Sequence, residues 1–366
     1  MVEIKYPVYQ PRLNGNEKKY VNECLESTWI SSKGKFVNSF ENNFSEYVNS
    51  KYSAAVCNGT VALHLALMAL GIREGDEVIV PTLTYIASVN AITYTGATPV
   101  FVDSLESTWQ IDVEDVKKKI TSKTKAIMCV HVYGHPCDMD GLLKITKEHN
   151  LFLVEDCAEA IGSLYKGQHV GTFGDVSTFS FYGNKTITTG EGGMVITNSE
   201  KLHNKIVHLK GQGLAKDREY WHDAIGYNYR MTNICAAIGL AQLEQIDEIL
   251  LKKQQIANWY MQDLKESRYK FHNEIGDVTH SYWMCTILIP EDIDREALKA
   301  FLITKGIETR PMFYPIHTMP IYAHVNKEIY PISEKLAGLG MNLPSYPELN
   351  EDNIKYITNS LKSFQI

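Results

Sequence analysis

A single lysine, Lys185, follows the apolar run 177–182 and precedes the turn Gly190-Glu191-Gly192-Gly193, after which a second apolar run occupies 194–197. Glycine permits close backbone approach and positive φ, so such a turn restricts where the lysine can go. An amine restrained this way can condense with a carbonyl cofactor as a Schiff base; taken alone, the same lysine would suit a surface hairpin. Asp156 ends the apolar run 151–156, which puts it at the carboxyl end of a strand, where ligands collect in open α/β sheets. Pyridoxal phosphate (PLP) needs an acidic partner at its ring nitrogen to act as an electron sink, and a strand-end carboxylate 29 residues before the lysine answers that need. By itself Asp156 would serve equally as a helix N-cap. Asn58-Gly59-Thr60 opens the helical run VALHLALMAL; free N–H groups at a helix start bind phosphate, and the Thr60 hydroxyl adds a donor. Ser180 offers another hydroxyl to the same anion. Tyr85, in PTLTYIAS, could stack on a flat cofactor or simply pack in the core.

Competing chemistries lack their signatures. No G-x-G-x-x-G or Walker A sequence occurs, and the glycine turn at 190–193 precedes a strand rather than a helix. His131 with His135, and His222 beside Asp223, form no H-E-x-x-H or Cys/His cluster, so no metal is expected.

The elements that must position these groups alternate. Strands are predicted over 53–57, 77–81, 98–103, 126–132 and 151–156, with helices such as 61–70 and 86–95 between them. AIMCVHV and LFLVED are apolar almost throughout, as strands covered on both faces must be. The pattern predicts an α/β fold with a mostly parallel sheet under helices. A helix-prone stretch from 232 to about 265 is expected to bridge to a smaller unit containing a strand at 282–289 and helices at 295–305 and 350–364. The expected division is 11–245 and 246–366, with residues 1–10 associated with the second unit. Lys117, Lys118, Lys119, Lys123 and Lys125 read as a solvated helix end that complements the helix dipole.

The 366 residues carry 36 Lys+Arg against 43 Asp+Glu, a net charge of −7. Such a chain without a basic stripe is a poor binder of nucleic acid or anionic membrane. With 44% hydrophobic residues, including 21 Tyr, 12 Phe and 5 Trp, it can build a large core and is not expected to be disordered. The longest suggestive apolar stretch, 234–241, is too short to span a bilayer. The first six residues hold no apolar signal core, and seven scattered cysteines without a C-x-x-C pair suit a reducing compartment; the expected location is cytoplasmic.

The segments SFYGNKTITTGEGGM, EDCAEA and YNYRMTN resemble the DegT/StrS nucleotide-sugar aminotransferases, and the likeness covers nearly the whole chain. It implies the fold of fold-type I PLP enzymes, a large domain with a mostly parallel sheet covered by helices plus a smaller C-terminal α+β domain. Carried over by position, it implies Lys185 as the Schiff-base lysine, Asp156 at the ring nitrogen, Glu159 beside the phenolic oxygen and Tyr85 stacked on the ring. Gly59, Thr60 and Ser180 would hold the phosphate, with Asn228 reaching it from the neighbouring subunit of a homodimer. STWISSKG, TRPMFYPIHTMP and NLPSYP resemble family members that aminate GDP-4-keto-6-deoxy-mannose with glutamate for O-antigen synthesis. They imply substrate contacts at Trp29, Ser31, Ser32, Arg310, Tyr314 and His317. Relatives with histidine at the lysine position catalyse C3 dehydration; here the residue is lysine. The alternatives are amination of another dTDP- or UDP-linked ketosugar, and a PLP-binding regulator. The regulator would be expected to carry a DNA-binding extension, which is not seen.

Overall fold

The computed structural model describes residues 3–325 and 328–364; the first two residues of the expected N-terminal segment lie outside that range. Strands β1 (Tyr52–Val56), β2 (Glu77–Pro81), β3 (Thr98–Val102), β4 (Thr124–Val130), β5 (Phe152–Asp156), β8 (Val176–Ser180) and β9 (Gly193–Thr197) form one sheet, in the order β1-β9-β8-β5-β4-β2-β3. Only β9 runs antiparallel to its neighbours, so the carboxyl ends of the other six open onto one edge. The intervening short strands β6 (Leu164–Tyr165) and β7 (Gln168–His169) pair with β11 (Val278–Thr279).

Both faces of the large sheet are covered, which explains the unbroken apolar runs. One face puts Val78, Val80, Phe101, Ala126, Met128, Val154 and Val176 against the helix Gly59–Leu70 and its neighbours. That helix is apolar nearly all round because it is packed on every side. The other face carries Phe179 and Met194 against the helix Lys35–Val48. Its buried Phe36, Val37, Phe40, Phe44 and Val48 recur at helical spacing. Phe44 meets Phe179 at 5.0 Å and Phe181 at 5.6 Å, both edge to face.

A second, four-stranded antiparallel sheet is made of β10 (Lys270–Phe271), β12 (Cys285–Leu288), β14 (Gly340–Leu343) and β13 (Arg310–Pro311). Helices Ile246–Leu264, Arg295–Thr304 and Glu351–Ser363 supply its core through Ile256, Tyr260, Leu298 and Ile357. The N-terminal segment is clipped here. Lys5 and Tyr6 donate to Gly306 O, and Ser345 N donates to Val8 O.

The expected single helix over 232–265 is two helices, Asn233–Leu243 and Ile246–Leu264. Neither Pro nor Gly marks the break. The first half buries Ala236, Ala237 and Leu243 with the large sheet, the second buries Ile256, Tyr260 and Leu264 with the small one. Between them Glu244 is held by Tyr20 and Asn16, each at 2.7 Å, and the axis turns to satisfy both cores. The lysine cluster also divides: Lys117, Lys118 and Lys119 sit in the last turn of Val113–Lys119, whereas Lys125 lies in β4. Five cysteines are buried, Cys57 and Cys235 are half-buried, and all seven are free thiols. No helix among the described residues is long and apolar enough to cross a membrane.

Phe44→Ala should lower the unfolding free energy by about 3–5 kcal/mol, read as a fall in the urea midpoint. A loss below about 1 kcal/mol would show that the aromatic cluster does not anchor the helix to the sheet.

Candidate active site

The carboxyl edge of the large sheet borders a cavity of about 540 Å³, a size suited to a small ligand. Asp156 enters it from the end of β5, Ser180 from the end of β8, and Asn58-Gly59-Thr60 from the turn after β1. Asn58 caps its helix by accepting from Val61 N at 3.0 Å, and Ala62 N donates to Asn58 O. The remaining N–H groups at the helix start, those of Gly59 and Thr60, have no acceptor within the helix and line the cavity. Gly59 is required by close approach. A Cβ there would lie 2.7 Å from Ser180 Cβ, and one on Gly193 would lie 2.7 Å from Asn58 C and O. The glycines thus let the turn, β8 and β9 converge on an anion-sized cradle.

Lys185 reaches the cavity from the loop after β8, its side chain 12% exposed. Its Nζ lies 3.8 Å from Glu159 Oε1 and 3.8 Å from the centroid of the Trp283 ring. Burial pushes the amine pKa down, opposed by the Glu159 and Asp156 carboxylates. Burial also raises Asp156, while hydrogen bonds from Ser88 Oγ (2.7 Å) and Ala158 N (3.0 Å) favour its charged form. Glu159 accepts from Tyr133 N at 2.8 Å, and burial pushes its carboxyl up to about 7 against the pull of Lys185. The Lys185 carbonyl accepts from the Tyr9 hydroxyl, and Asn184 O accepts from Trp283 Nε1 at 2.7 Å. Buried Asn184 Oδ1 has no partner among the described residues.

These features fit PLP: a donor-lined cradle for its phosphate, a buried carboxylate for its ring nitrogen and an amine for its carbonyl. Tyr85 lines the cavity too, 56% exposed, its ring 5.7 Å from Phe313 and tilted by 51°. Arg310 lies on the rim beside Glu308 at 3.3 Å.

The other residues singled out from the sequence lie elsewhere. Trp29 and Ser32 line a separate concavity, and Ser31 O accepts from Asn233 N. Tyr314 is half exposed, 3.4 Å from Arg295 Nη2. His317 is buried, with Nδ1 at 2.7 Å from Thr82 Oγ1 and Nε2 at 3.2 Å from Glu334. Asn228 is exposed and held by Arg230 at 3.1 Å, apart from the cavity of its own chain. Ser88, Trp283 and Tyr9 have no sequence signal, because only folding brings them to Asp156 and Lys185. Folding also gathers buried His131, Glu155 and Cys157 within 4.8 Å. Glu155 already accepts from three backbone N–H groups, of Gly171, Phe173 and Gly174, and sits 3.2 Å from His131 Nε2, so the group acts as a brace behind β5.

A lysine facing two buried carboxylates beside a helix start, at the carboxyl edge of this sheet, is the frame of a PLP-dependent aminotransferase. The chain belongs to the DegT/DnrJ/EryC1/StrS aminotransferase family, whose model matches residues 11–362. It is 62% identical over 362 residues to the GDP-perosamine synthase of Escherichia coli O157:H7, covering 99% of each chain. With that of Vibrio cholerae it shares 52% over 361 residues, 98% of each. Among solved structures it resembles Spr1654 of Streptococcus pneumoniae in its PLP form, with a TM-score of 0.93 at 28% identity, covering 99% of this chain and 98% of that one. PLP is the cofactor and sugar amino transfer the reaction class.

With its pKa raised in the folded state, Glu159 retains a proton that the unfolded chain releases above 4.5. Its contribution to stability is therefore full below that value and declines as pH rises towards about 7. Glu159→Gln cannot ionise. In cofactor-free protein it should gain on the parent by about 1–3 kcal/mol between about pH 5 and about pH 7.5, measured by urea unfolding at each pH. A difference that stays flat with pH would overturn this.

Proposed function

We propose that the protein transfers the amino group of glutamate to C4 of GDP-4-keto-6-deoxy-mannose, forming GDP-perosamine for O-antigen or related polysaccharide synthesis. The single observation behind the substrate is the 62% identity, over nearly the full length, to the E. coli O157:H7 enzyme of that name. In net terms nitrogen and two electrons pass from the glutamate α-carbon to C4. The ketone oxygen leaves as water, and a water oxygen enters the 2-oxoglutarate formed. Bound PLP supplies the carbonyl carbon that each amine bonds in turn and a ring that accepts the electron pair left when the α-proton departs.

The chain's own groups do the rest. Lys185 Nζ holds the cofactor between turnovers and then carries the proton; an amine whose pKa is lowered by burial suits that exchange. Asp156, anchored by Ser88 and Ala158 N, keeps the ring nitrogen protonated, and Glu159 stands by the phenolic oxygen. Gly59, Thr60 and Ser180 bind the phosphate, and Tyr85 covers the ring. The partner's Asn228 completes the phosphate site in a homodimer, in keeping with its position away from its own cavity. Arg310 at the rim contacts the sugar nucleotide. Trp29, Ser31, Ser32, Tyr314 and His317 belong to the same reading as substrate contacts. The division into 11–245 and 246–366, with 1–10 on the smaller unit, and a cytoplasmic location complete it.

Incubation with glutamate and GDP-4-keto-6-deoxy-mannose should yield a product of GDP-perosamine mass, with dTDP- and UDP-linked ketosugars turned over more slowly. A faster reaction with either of those would overturn the substrate. Lys185→Ala should abolish turnover, by at least about 10⁴-fold, while leaving the thermal melt near that of the parent; near-normal turnover would sink the assignment.

A further inference from the structure

We infer that the face of the Trp283 indole is the resting place of the Lys185 ε-amine whenever that amine is not covalently engaged, which makes Trp283 a positioning residue of the amino-transfer cycle. The inference rests on Lys185 being the bond-forming amine.

A lysine that moves protons must be displaced from its bond and return to it in every half-reaction. While free it is a buried amine, and desolvation disfavours its charged form. Two features compensate at equal range: the Glu159 carboxylate at 3.8 Å and the Trp283 ring centroid at 3.8 Å. They behave differently. Glu159 loses its charge as pH falls through about 7, so near neutrality it is only partly an anion. The negative face of an indole does not titrate, and it attracts a desolvated ammonium more strongly than one in water. Asp156, the other carboxylate acting on the lysine, is itself raised by burial. The attraction of the ring is therefore independent of pH, whereas that of Glu159 fades as pH falls through about 7.

The indole is held firmly enough for this task. It is 4% exposed, and its Nε1–H donates to Asn184 O at 2.7 Å, tying it to the residue before the lysine. Tyr133 lies 5.9 Å away, inclined by 10°, and Phe313 6.3 Å away, inclined by 26°. The Tyr133 hydroxyl accepts from Phe313 N at 3.0 Å. Gly134, at φ 102°, gives the backbone room: a Cβ there would come within 3.2 Å of Trp283 N. The ring projects from the segment leading into β12, so the small sheet carries a side chain that touches the reacting amine.

The test compares the parent with Trp283→Leu, which removes the π face and the N–H bond, and Trp283→Phe, which removes the N–H bond and keeps a smaller π face. In the full-length, cofactor-free protein, the pH dependence of Lys185 acetylation by acetic anhydride is followed by mass spectrometry of its peptide. The midpoint should fall by about half a unit to one unit in Trp283→Leu and stay within about a quarter of a unit of the parent in Trp283→Phe. In the loaded enzyme, Trp283→Leu should slow the glutamate half-reaction about tenfold with little change in KM. An unmoved midpoint in Trp283→Leu, or equal shifts in both variants, would overturn the role of the ring face. Should Trp283→Leu not fold, replacing tryptophan by its tetrafluoro analogue weakens the π face while keeping shape and N–H, and the same fall is expected. Borohydride fixing PLP on a residue other than Lys185 would instead overturn the underlying reading of the lysine.

Discussion

An amine and two carboxylates are removed from water at the end of β5, and the cost of that removal shapes everything around it. Burial alone pushes Lys185 down and Asp156 and Glu159 up, each towards its neutral form. An amine whose charged form is disfavoured in this way gives up and takes back its proton more readily, which proton transfer at carbon requires. The cluster is tolerable only because each member has a partner: Ser88 and Ala158 N for Asp156, Tyr133 N for Glu159, and Glu159 with the Trp283 ring for the lysine.

Those partners come from far apart in the chain, and the fold exists to hold them together. Parallel strands deliver Asp156 and Ser180 to one edge, and the glycines at 59 and 193 let the phosphate cradle close without a clash. The lysine loop is tied to the rest from two sides. Tyr9 holds the Lys185 carbonyl from the N-terminal segment, and Trp283 holds the Asn184 carbonyl from the small sheet. A displacement of the small sheet is felt directly at the backbone of the reacting residue.

Much of this site is legible in the residues because its chemistry is local. Asp156 at a strand end and Asn58-Gly59-Thr60 at a helix start carry their meaning within a few residues of sequence, and the structure brings them into one cavity with Lys185, Glu159 and Ser180. Family likeness singled out Trp29, Ser31, Ser32, Asn228, Tyr314 and His317, whose positions lie outside that cavity. Ser88 lies in the first turn of the helix Ile86–Tyr94 and Trp283 in an ordinary apolar run; nothing local separates either from a core residue. The break at 244–245 is similar, since no breaker residue marks it and only the presence of two cores to fill explains it.

The order of residues thus settles which segments become strands and helices, where the strand-end acid and the helix-start donors fall, and that a lone lysine precedes a glycine turn. These depend on backbone propensity, apolar period and capping, which act over a few residues. The tertiary structure alone decides how far each carboxyl is desolvated, which ring lies under the amine, and which hydroxyl anchors Asp156. Those properties come from the packing of segments up to 176 residues apart, such as Tyr9 on Lys185, and short-range preferences carry no information about such encounters.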